Sequence, residues 1–206
     1  MAAPKHQDSD LDNLHEHGIH VKSRTIFLRR QDYIDGEESD PGVDHVFATK
    51  FLKNLFFLEI LSHEPITIIM STPGGLETEG MAIFDAIKSS PCHITIVVRG
   101  EASSMGSYIL QSADERCIAP NSILMMHYGS SNGYGLDHKK TAKSWIVFEE
   151  KYGKKLDEIL FQKILSKHPE FKRKKFDDML NFDTILTAEE AVELGLADKI
   201  LRVDKE

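Results

Sequence analysis

Short apolar runs alternate along the chain with segments in which apolar residues recur at helical spacing. Two runs, ITIIM (66–70) and ITIVV (94–98), are continuously apolar, which is typical of strands buried on both faces of a sheet. Further strands are predicted at TIFL (25–28), RCIA (116–119) and ILMM (123–126). Helices are predicted over residues 43–62, 76–88, 104–113 and 137–165. This alternation predicts an α/β domain.

The two ends of the chain differ in character. Near the C-terminus, Thr187 and Glu190 form a capping-box pattern, and Gly195 closes the predicted helix AEEAVEL. Residues 1–20 are polar with few apolar anchors, and we expect a mobile tail there, followed by one domain over 21–206. The histidines of this tail are not expected to bind a metal, because isolated histidines in polar segments seldom do.

Composition argues against several classes of function. The 206 residues carry a formal net charge of -8, which disfavours binding to a nucleic-acid backbone. Cys92 and Cys117 form no metal-binding spacing, and a reducing compartment is the default expectation. No signal-peptide core opens the chain, and no apolar run approaches the ~18 residues of a membrane span. We therefore expect a cytoplasmic protein without a membrane partner.

Two turns rich in Gly and Ser, STPGG (71–75) and GEASSMGS (100–107), follow the two buried strands. Each opens a predicted helix, and in a parallel sheet both lie at the same edge, where α/β folds place their sites. Helix N-termini carry free N–H groups and partial positive charge, which suit an oxyanion. Ser104 could therefore attack a carbonyl, with the N–H groups of Met105 and Gly75 as candidate oxyanion donors.

A nucleophilic serine needs a base, and the base needs a third group that orients it. His127 directly follows the strand ILMM, and Asp183 lies just before the capped final helix. Each residue also has an ordinary interpretation, since most histidines are structural and Ser104 could serve only in helix-start packing. From the pattern alone, these three residues are a candidate Ser-His-Asp triad and no more.

Four motifs resemble the proteolytic subunit of the Clp protease family, ClpP. STPGG is similar to the family's (N/S)-S-P-G-G turn, and GEASSMGSYIL to the G-x-A-(A/S)-S-M-G stretch around its catalytic serine. APNSILMMH resembles the segment that ends in the catalytic histidine. FDTILTAEEAVELGLADKIL resembles the segment that the catalytic aspartate opens. The motifs occur in the family's order between about Val21 and Leu201.

The resemblance implies a crotonase-like α/β fold of repeated β-β-α units, with the long helix after Gly135 as a protruding handle. It also implies serine endopeptidase activity inside a homo-oligomeric chamber of two stacked rings. Because the family's serine directly precedes Met-Gly, the nucleophile is assigned to Ser104. His127 becomes the base and Asp183 the acid.

The expected substrate is a peptide or an unfolded protein, bound in extended form beside the Gly-Gly turn. The residues expected to line it are Gly74, Leu76 and Glu77, with Gly75 and Met105 as the oxyanion hole. No cofactor or metal is expected. The chain lacks the G-x-x-x-x-G-K-(S/T) motif, so ATP hydrolysis would belong to a partner, an AAA+ unfoldase.

Three segments depart from the family pattern and indicate a divergent member. The tail does not resemble the family's axial-loop segment, which bears on how an unfoldase would dock. Residues 29–41 and 168–175 look inserted, and the second segment includes the basic cluster KRKK (172–175), which is expected to be a solvated face. Trp145, Ile146 and Phe148 cover more than one helix face, which favours burial against a partner subunit as well as against the home domain, with burial entirely within the subunit as the alternative.

Other functions remain open at this point. A crotonase-type enzyme acting on acyl-CoA thioesters shares the fold, because fold does not determine function, but it needs no Ser-His-Asp triad. A peptidase with a Ser-Lys dyad would need a membrane anchor and a buried lysine. A non-catalytic ring component would not need all three catalytic residue types, which are present here.

Overall fold

A computed structural model describes residues 10–29, 42–129 and 139–201 of the chain, and in these ranges eight strands form one sheet. The strands are β1 Ile19–His20, β2 Thr25–Leu28, β3 Ile66–Thr72, β4 Ile94–Ser103, β5 Glu115–Ile118, β6 Ile123–Met126, β7 Thr184–Leu186 and β8 Lys199–Ile200. The helices are α1 His45–Leu61, α2 Glu77–Ser89, α3 Met105–Leu110, α4 Lys139–Lys167, α5 Arg173–Leu180 and α6 Ala188–Leu194. A π-helical turn, Asn13–His17, precedes β1.

The sheet is mostly parallel, in the order β1-β2-β3-β4-β5-β8, and only β1 pairs antiparallel with its neighbour along this path. Strand β4 has ten residues and divides its pairing between two partners. Its first half pairs with β5, and Glu101–Ser103 pair with β6, which in turn pairs antiparallel with β7. Residues 101–103, predicted as a turn, therefore remain extended, because β6 supplies the hydrogen-bonding partners.

One face of the central strands is fully buried, whereas the alternate residues of β3 on the other face are only partly buried, so the predicted burial on both faces is wrong for β3. Ile68, Met70, Ile94 and Ile96 are fully buried. Helix α3, predicted over residues 104–113, is shorter, and all six of its residues are buried. Such a short buried helix is stabilised by its surroundings rather than by its own propensity.

The C-terminal capping box is confirmed. Thr187 Oγ1 accepts a hydrogen bond from the Glu190 N–H at 3.2 Å, and Glu190 Oε2 accepts one from the Thr187 N–H at 2.8 Å. Gly195 ends α6 in the left-handed conformation with φ 87°. These caps define the helix that follows β7, and they thereby limit where the preceding loop can lie.

Part of the predicted N-terminal tail is ordered. Residues 1–9 lie outside the described residues, as do residues 30–41 of the expected insertion. Residues 10–20 form the π-helical turn and β1, and Ile19 is 4% exposed in the core. The packed domain therefore begins before residue 21, because one buried isoleucine and one strand pairing attach this segment to β2.

The basic cluster KRKK opens helix α5, which the sequence analysis missed. Its polar residues mostly face solvent, whereas Phe176 and Leu180 are buried. The helix was overlooked because eight residues with only two buried apolar positions give a weak periodic signal.

The predicted long helix is α4, 29 residues from Lys139 to Lys167. Its second half packs on the domain through Leu156, Leu160 and Ile164, which are 0–3% exposed. Its first half exposes four consecutive apolar side chains, 42–52% each, at residues 145–148. Within the described residues, no helix combines the length and apolar character that a membrane crossing requires.

Candidate active site

Ser104 lies at the sharp junction between β4 and α3. Its backbone has φ 49° and ψ -118°, a conformation that residues with a side chain rarely adopt. Three hydrogen bonds hold its backbone there. The Ser104 N–H donates to the Met125 carbonyl at 2.8 Å, and the Ser104 carbonyl accepts from the Ser107 hydroxyl at 2.7 Å and from the Ser107 N–H at 2.9 Å. Strained residues of this kind cluster at functional sites, where the surrounding structure enforces them.

The two neighbouring serines are engaged elsewhere. Ser103 is 3% exposed and its hydroxyl donates to the Glu101 carboxylate at 2.7 Å. Ser107 is fully buried and supports the Ser104 carbonyl. Of the three serines in GEASSMGS, only Ser104 is partly accessible.

The Gly-Gly turn after β3 packs directly against this junction. A Cβ on Gly74 would lie 2.7 Å from the Ser104 Cβ and 3.0 Å from the Met105 nitrogen. Gly75 has φ 140°, and a Cβ there would lie 2.5 Å or less from the backbone N and O of Val43. Both positions therefore need glycine, because neither has room for a Cβ and both have a positive φ, 107° at Gly74 and 140° at Gly75.

Two backbone N–H groups at this junction, one from the Gly-Gly turn and one from the start of α3, are not used in hydrogen bonds within the described ranges. Val43 donates to the Gly74 carbonyl at 2.6 Å and accepts from the Leu76 N–H at 2.8 Å, which turns the Gly75 N–H to the opposite side of the chain. Among the described residues, neither the Gly75 nor the Met105 N–H has a hydrogen-bond acceptor. Two donors beside one hydroxyl are the arrangement that an oxyanion requires.

His127 is positioned by the pairing of three strands. Strand β6 pairs with β4 so that Met125 faces Ser103, which brings the following residues beside the Ser104 junction. His127 is the first residue after β6, and its Nε2 atom lies 2.9 Å from the Ser104 Oγ. The imidazole is partly buried, 27% exposed at the side chain.

Asp183 lies directly opposite His127 in the antiparallel β6–β7 register, one pair beyond Met126 and Thr184. Its Oδ1 atom is 3.1 Å from His127 Nδ1, and its side chain is 65% exposed. Because a carboxylate only accepts, His127 Nδ1 carries the hydrogen and Nε2 accepts from the Ser104 hydroxyl. Strand β7 was not predicted, because its three residues, TIL, are too few to show a strand periodicity.

Comparison with known proteins identifies the family. The model of the Clp protease family matches residues 22–204.

This chain belongs to the Clp protease family.

The chain is also 32% identical over 193 residues to the "ATP-dependent Clp protease proteolytic subunit 1" of Protochlamydia amoebophila (strain UWE25). That alignment covers 90% of this chain and 84% of the relative. The family resemblance inferred from the four motifs is confirmed, and the chain is a serine peptidase of the Clp type with the family's crotonase-like α/β fold.

The other predicted substrate-lining residues of this Clp family member differ in their exposure to solvent. Gly74 is buried in the junction, whereas Leu76 is 49% exposed and Glu77 is also exposed, both on the open side of the turn. No group of three or more potential metal ligands occurs within the described ranges.

A buried polar pair between α3 and α4 was missed by the sequence analysis. The Tyr108 hydroxyl donates to Asp157 Oδ1 on α4 at 3.3 Å, and both residues are 6% exposed. Burial raises the pKa of Asp157 to about 6, against the lowering effects of Tyr108 and Arg173, while Asp177 and Glu77 raise it further. Asp157 lies in no motif and is 49 positions from Tyr108, so only the packing of α4 on α3 reveals the pair.

Replacing Asp157 with Asn is expected to change the pH dependence of stability. The folded-state pKa of about 6 lies above the ordinary 3.8, so the folded chain binds the proton more tightly and loses stability as pH rises between these values. Asn keeps an acceptor for Tyr108 without the charge. We expect Asp157→Asn to gain about 1–3 kcal/mol over the wild type near pH 7 and nothing near pH 4.

Denaturant unfolding of both proteins across this pH range measures the difference. Tyr108→Phe serves as the control for loss of the hydrogen bond alone. A difference between Asp157→Asn and wild type that stays constant with pH would contradict the raised pKa.

Proposed function

We propose that this chain is an endopeptidase that hydrolyses peptides and unfolded proteins through Ser104, His127 and Asp183. The observation that carries the proposal is the hydrogen-bonded series from Asp183 through His127 to Ser104, at 3.1 Å and 2.9 Å. This series ends beside the unused N–H groups of Gly75 and Met105. A nucleophile, a base, an orienting acid and oxyanion donors are the parts that acyl transfer requires.

In the first half of the reaction, the Ser104 oxygen attacks the carbonyl carbon of the scissile peptide bond. His127 Nε2 takes the hydroxyl proton as the new C–O bond forms. The carbonyl oxygen becomes an oxyanion, which the Gly75 and Met105 N–H groups stabilise. His127 then donates its proton to the leaving amine as the C–N bond breaks, and an acyl-enzyme remains.

In the second half, His127 removes a proton from water as the water oxygen attacks the acyl carbon. The bond between that carbon and the Ser104 oxygen then breaks, His127 returns the proton to Ser104, and the carboxylic acid product leaves. Asp183 accepts the hydrogen bond from Nδ1 in both halves, which keeps the reactive tautomer and stabilises the imidazolium. His127 carries every proton transfer and backbone N–H groups stabilise the oxyanion, so we propose that the reaction uses no cofactor or metal. ATP hydrolysis would belong to an AAA+ unfoldase partner.

The open side of the Gly-Gly turn suits an extended substrate. Leu76 and Glu77 are exposed there. A peptide in extended conformation could add as a strand along this turn, with backbone hydrogen bonds that do not depend on its sequence. Gly74 contributes by allowing the turn to approach the Ser104 junction.

Peptide hydrolysis by the purified chain without ATP tests this function. We expect turnover of a short fluorogenic peptide and covalent labelling by a fluorophosphonate. An assembled sample that turns over no peptide and takes no label would contradict the proposal and favour an acyl-CoA enzyme or a non-catalytic ring component.

The proposed chamber is supported by exposed apolar surface. The side chains at residues 145–148 of α4 and Phe56 and Ile60 of α1, which are 63% and 62% exposed, are costly to leave in water. Such patches are typical of subunit interfaces, and repeated head-to-tail contacts close into rings. We propose that two such rings stack through the first half of α4.

Ile146→Asp is expected to disrupt the stacking of the rings, because it places a charge on the exposed apolar stretch of α4. Native mass spectrometry should give a wild-type particle of many 23.3 kDa subunits and a variant particle of about half that mass. Lys151→Asp, on the exposed surface of the same helix, is the matched control and should keep the full mass. A monomeric wild type, or an Ile146→Asp particle of full mass, would contradict this arrangement.

A further inference from the structure

Glu77 is an acidic side chain at the edge of the candidate active site. It is the first residue of α2 and follows Gly75 by two positions, so the two Cα atoms lie within about 7 Å of each other. Its Oε1 atom lies 2.7 Å from the point that a Cβ on Gly129 would occupy. The Glu77 side chain therefore extends from the oxyanion turn to the loop that follows His127.

The described residues supply no cation to this carboxylate. None of the ion pairs among them includes Glu77. Partial burial, and then the neighbouring Glu149 on α4, raise the pKa of Glu77. Asp157 lies close enough to respond to Glu77, and Arg173, the cation that acts on Asp157, already pairs with two other carboxylates. A positive group that enters from solvent would meet net negative charge here.

We propose that Glu77 selects peptides with a lysine or arginine side chain on the residue that supplies the scissile carbonyl. The inference rests on the proposed peptidase function. The Gly75 N–H would hold that carbonyl, so the side chain of the same substrate residue lies next to Glu77. A long basic side chain can form an ion pair with the exposed Glu77 carboxylate. A leucine side chain would displace water from that carboxylate and offer no hydrogen bond in its place.

A structural role for Glu77 is the alternative, and the chain offers a control for it. Both Glu77 and Glu79 lie in the first turn of α2, where a negative charge stabilises the helix end. Residues two apart on a helix point to different sides, so Glu79 shares this stabilising position without sharing the direction of Glu77. Glu79→Gln therefore removes the same charge from the same turn.

The experiment compares kcat/KM for fluorogenic peptides that differ only at this residue, with Lys, Arg, Leu or Glu. Wild type and Glu79→Gln are expected to cleave the Lys and Arg peptides about tenfold faster than the Leu peptide, and the Glu peptide slowest. Glu77→Gln is expected to lose this basic preference, so that its ratio of kcat/KM between the Lys and Leu peptides falls from about ten to about one. Added salt should reduce the preference in wild type and leave Glu77→Gln unaffected.

Three results would overturn the role of Glu77: a wild type that prefers Leu, a Glu77→Gln with the wild-type ratio, or an equal effect of Glu79→Gln. Native mass and fluorophosphonate labelling establish that each variant is assembled and has a reactive serine. Failure of the peptidase proposal looks different, because then no peptide in the series is cleaved, or cleavage persists in Ser104→Ala. In that case the proposed role of Glu77 is contradicted together with the peptidase function.

Discussion

Ser104→Ala is expected to reduce kcat for peptide hydrolysis by at least about 10⁴-fold and to abolish fluorophosphonate labelling, with assembly unchanged. The hydroxyl is the atom that would form the acyl-enzyme, and no neighbour can replace it. Ser103 is buried and bonded to Glu101, and Ser107 is buried and bonded to the Ser104 carbonyl. The measurement is single-turnover hydrolysis of a fluorogenic peptide, alongside mass spectrometry of the labelled protein.

Ser103→Ala is the matched control, because it removes a hydroxyl one position away. We expect it to retain the label and activity within about tenfold of wild type, since it disturbs only a buried hydrogen bond. If the label instead survives in Ser104→Ala and disappears in Ser103→Ala, the nucleophile is misassigned by one residue. Labelling that survives in both would point to a site elsewhere.

Asp183→Asn is expected to lower kcat by about 10³- to 10⁴-fold with a much smaller effect on KM. The amide nitrogen of Asn donates a hydrogen bond, so it favours the His127 tautomer with the hydrogen on Nε2. That tautomer cannot accept the Ser104 proton. The asparagine also removes the negative charge that stabilises the imidazolium in the transition state. Because Asp183 is 65% exposed, water screens this charge, and we expect a loss of kcat nearer to about 10³-fold than to about 10⁴-fold.

Asp178→Asn provides the comparison for Asp183→Asn, since Asp178 is an exposed carboxylate on the preceding helix. It should leave kcat within about twofold, as surface substitutions away from a site usually do. The pH–rate profile of each variant separates a catalytic effect from a structural one. Equal losses in the two variants would show that general negative charge, rather than the His127–Asp183 bond, matters.

Much of the fold was predictable because it is local in sequence. The continuous apolar runs at 66–70 and 94–98 predicted two buried strands, and both occur as the start of β3 and β4. The capping box at Thr187 predicted the final helix correctly. Strand β7 and helix α5 were missed because they are short and have few buried side chains, and residues 101–103 were misassigned because their partner strand is distant in sequence.

The candidate site also has features that the sequence predicts and features that only the structure shows. Residue types and motif order were sufficient to predict Ser104, His127 and Asp183 as a set, and their catalytic roles stay predictions until the variants are measured. The Tyr108–Asp157 pair was not predictable, since the two residues lie 49 positions apart and meet only when α4 packs on α3. Glu77 was expected beside the substrate, but its missing countercharge is visible only in three dimensions.

The amino-acid sequence by itself determined the family and the order of the central strands and helices along the chain, because periodicity, caps and motifs depend on neighbouring residues. For the same reason it predicted which side chains could perform chemistry. The tertiary structure alone decided the distances among those side chains. The β4–β6–β7 register brings positions 104, 127 and 183 within hydrogen-bonding distance, and the Gly-Gly turn packs directly against the Ser104 junction. Such long-range contacts depend on which strands pair and in which register, and the local sequence pattern does not predict either.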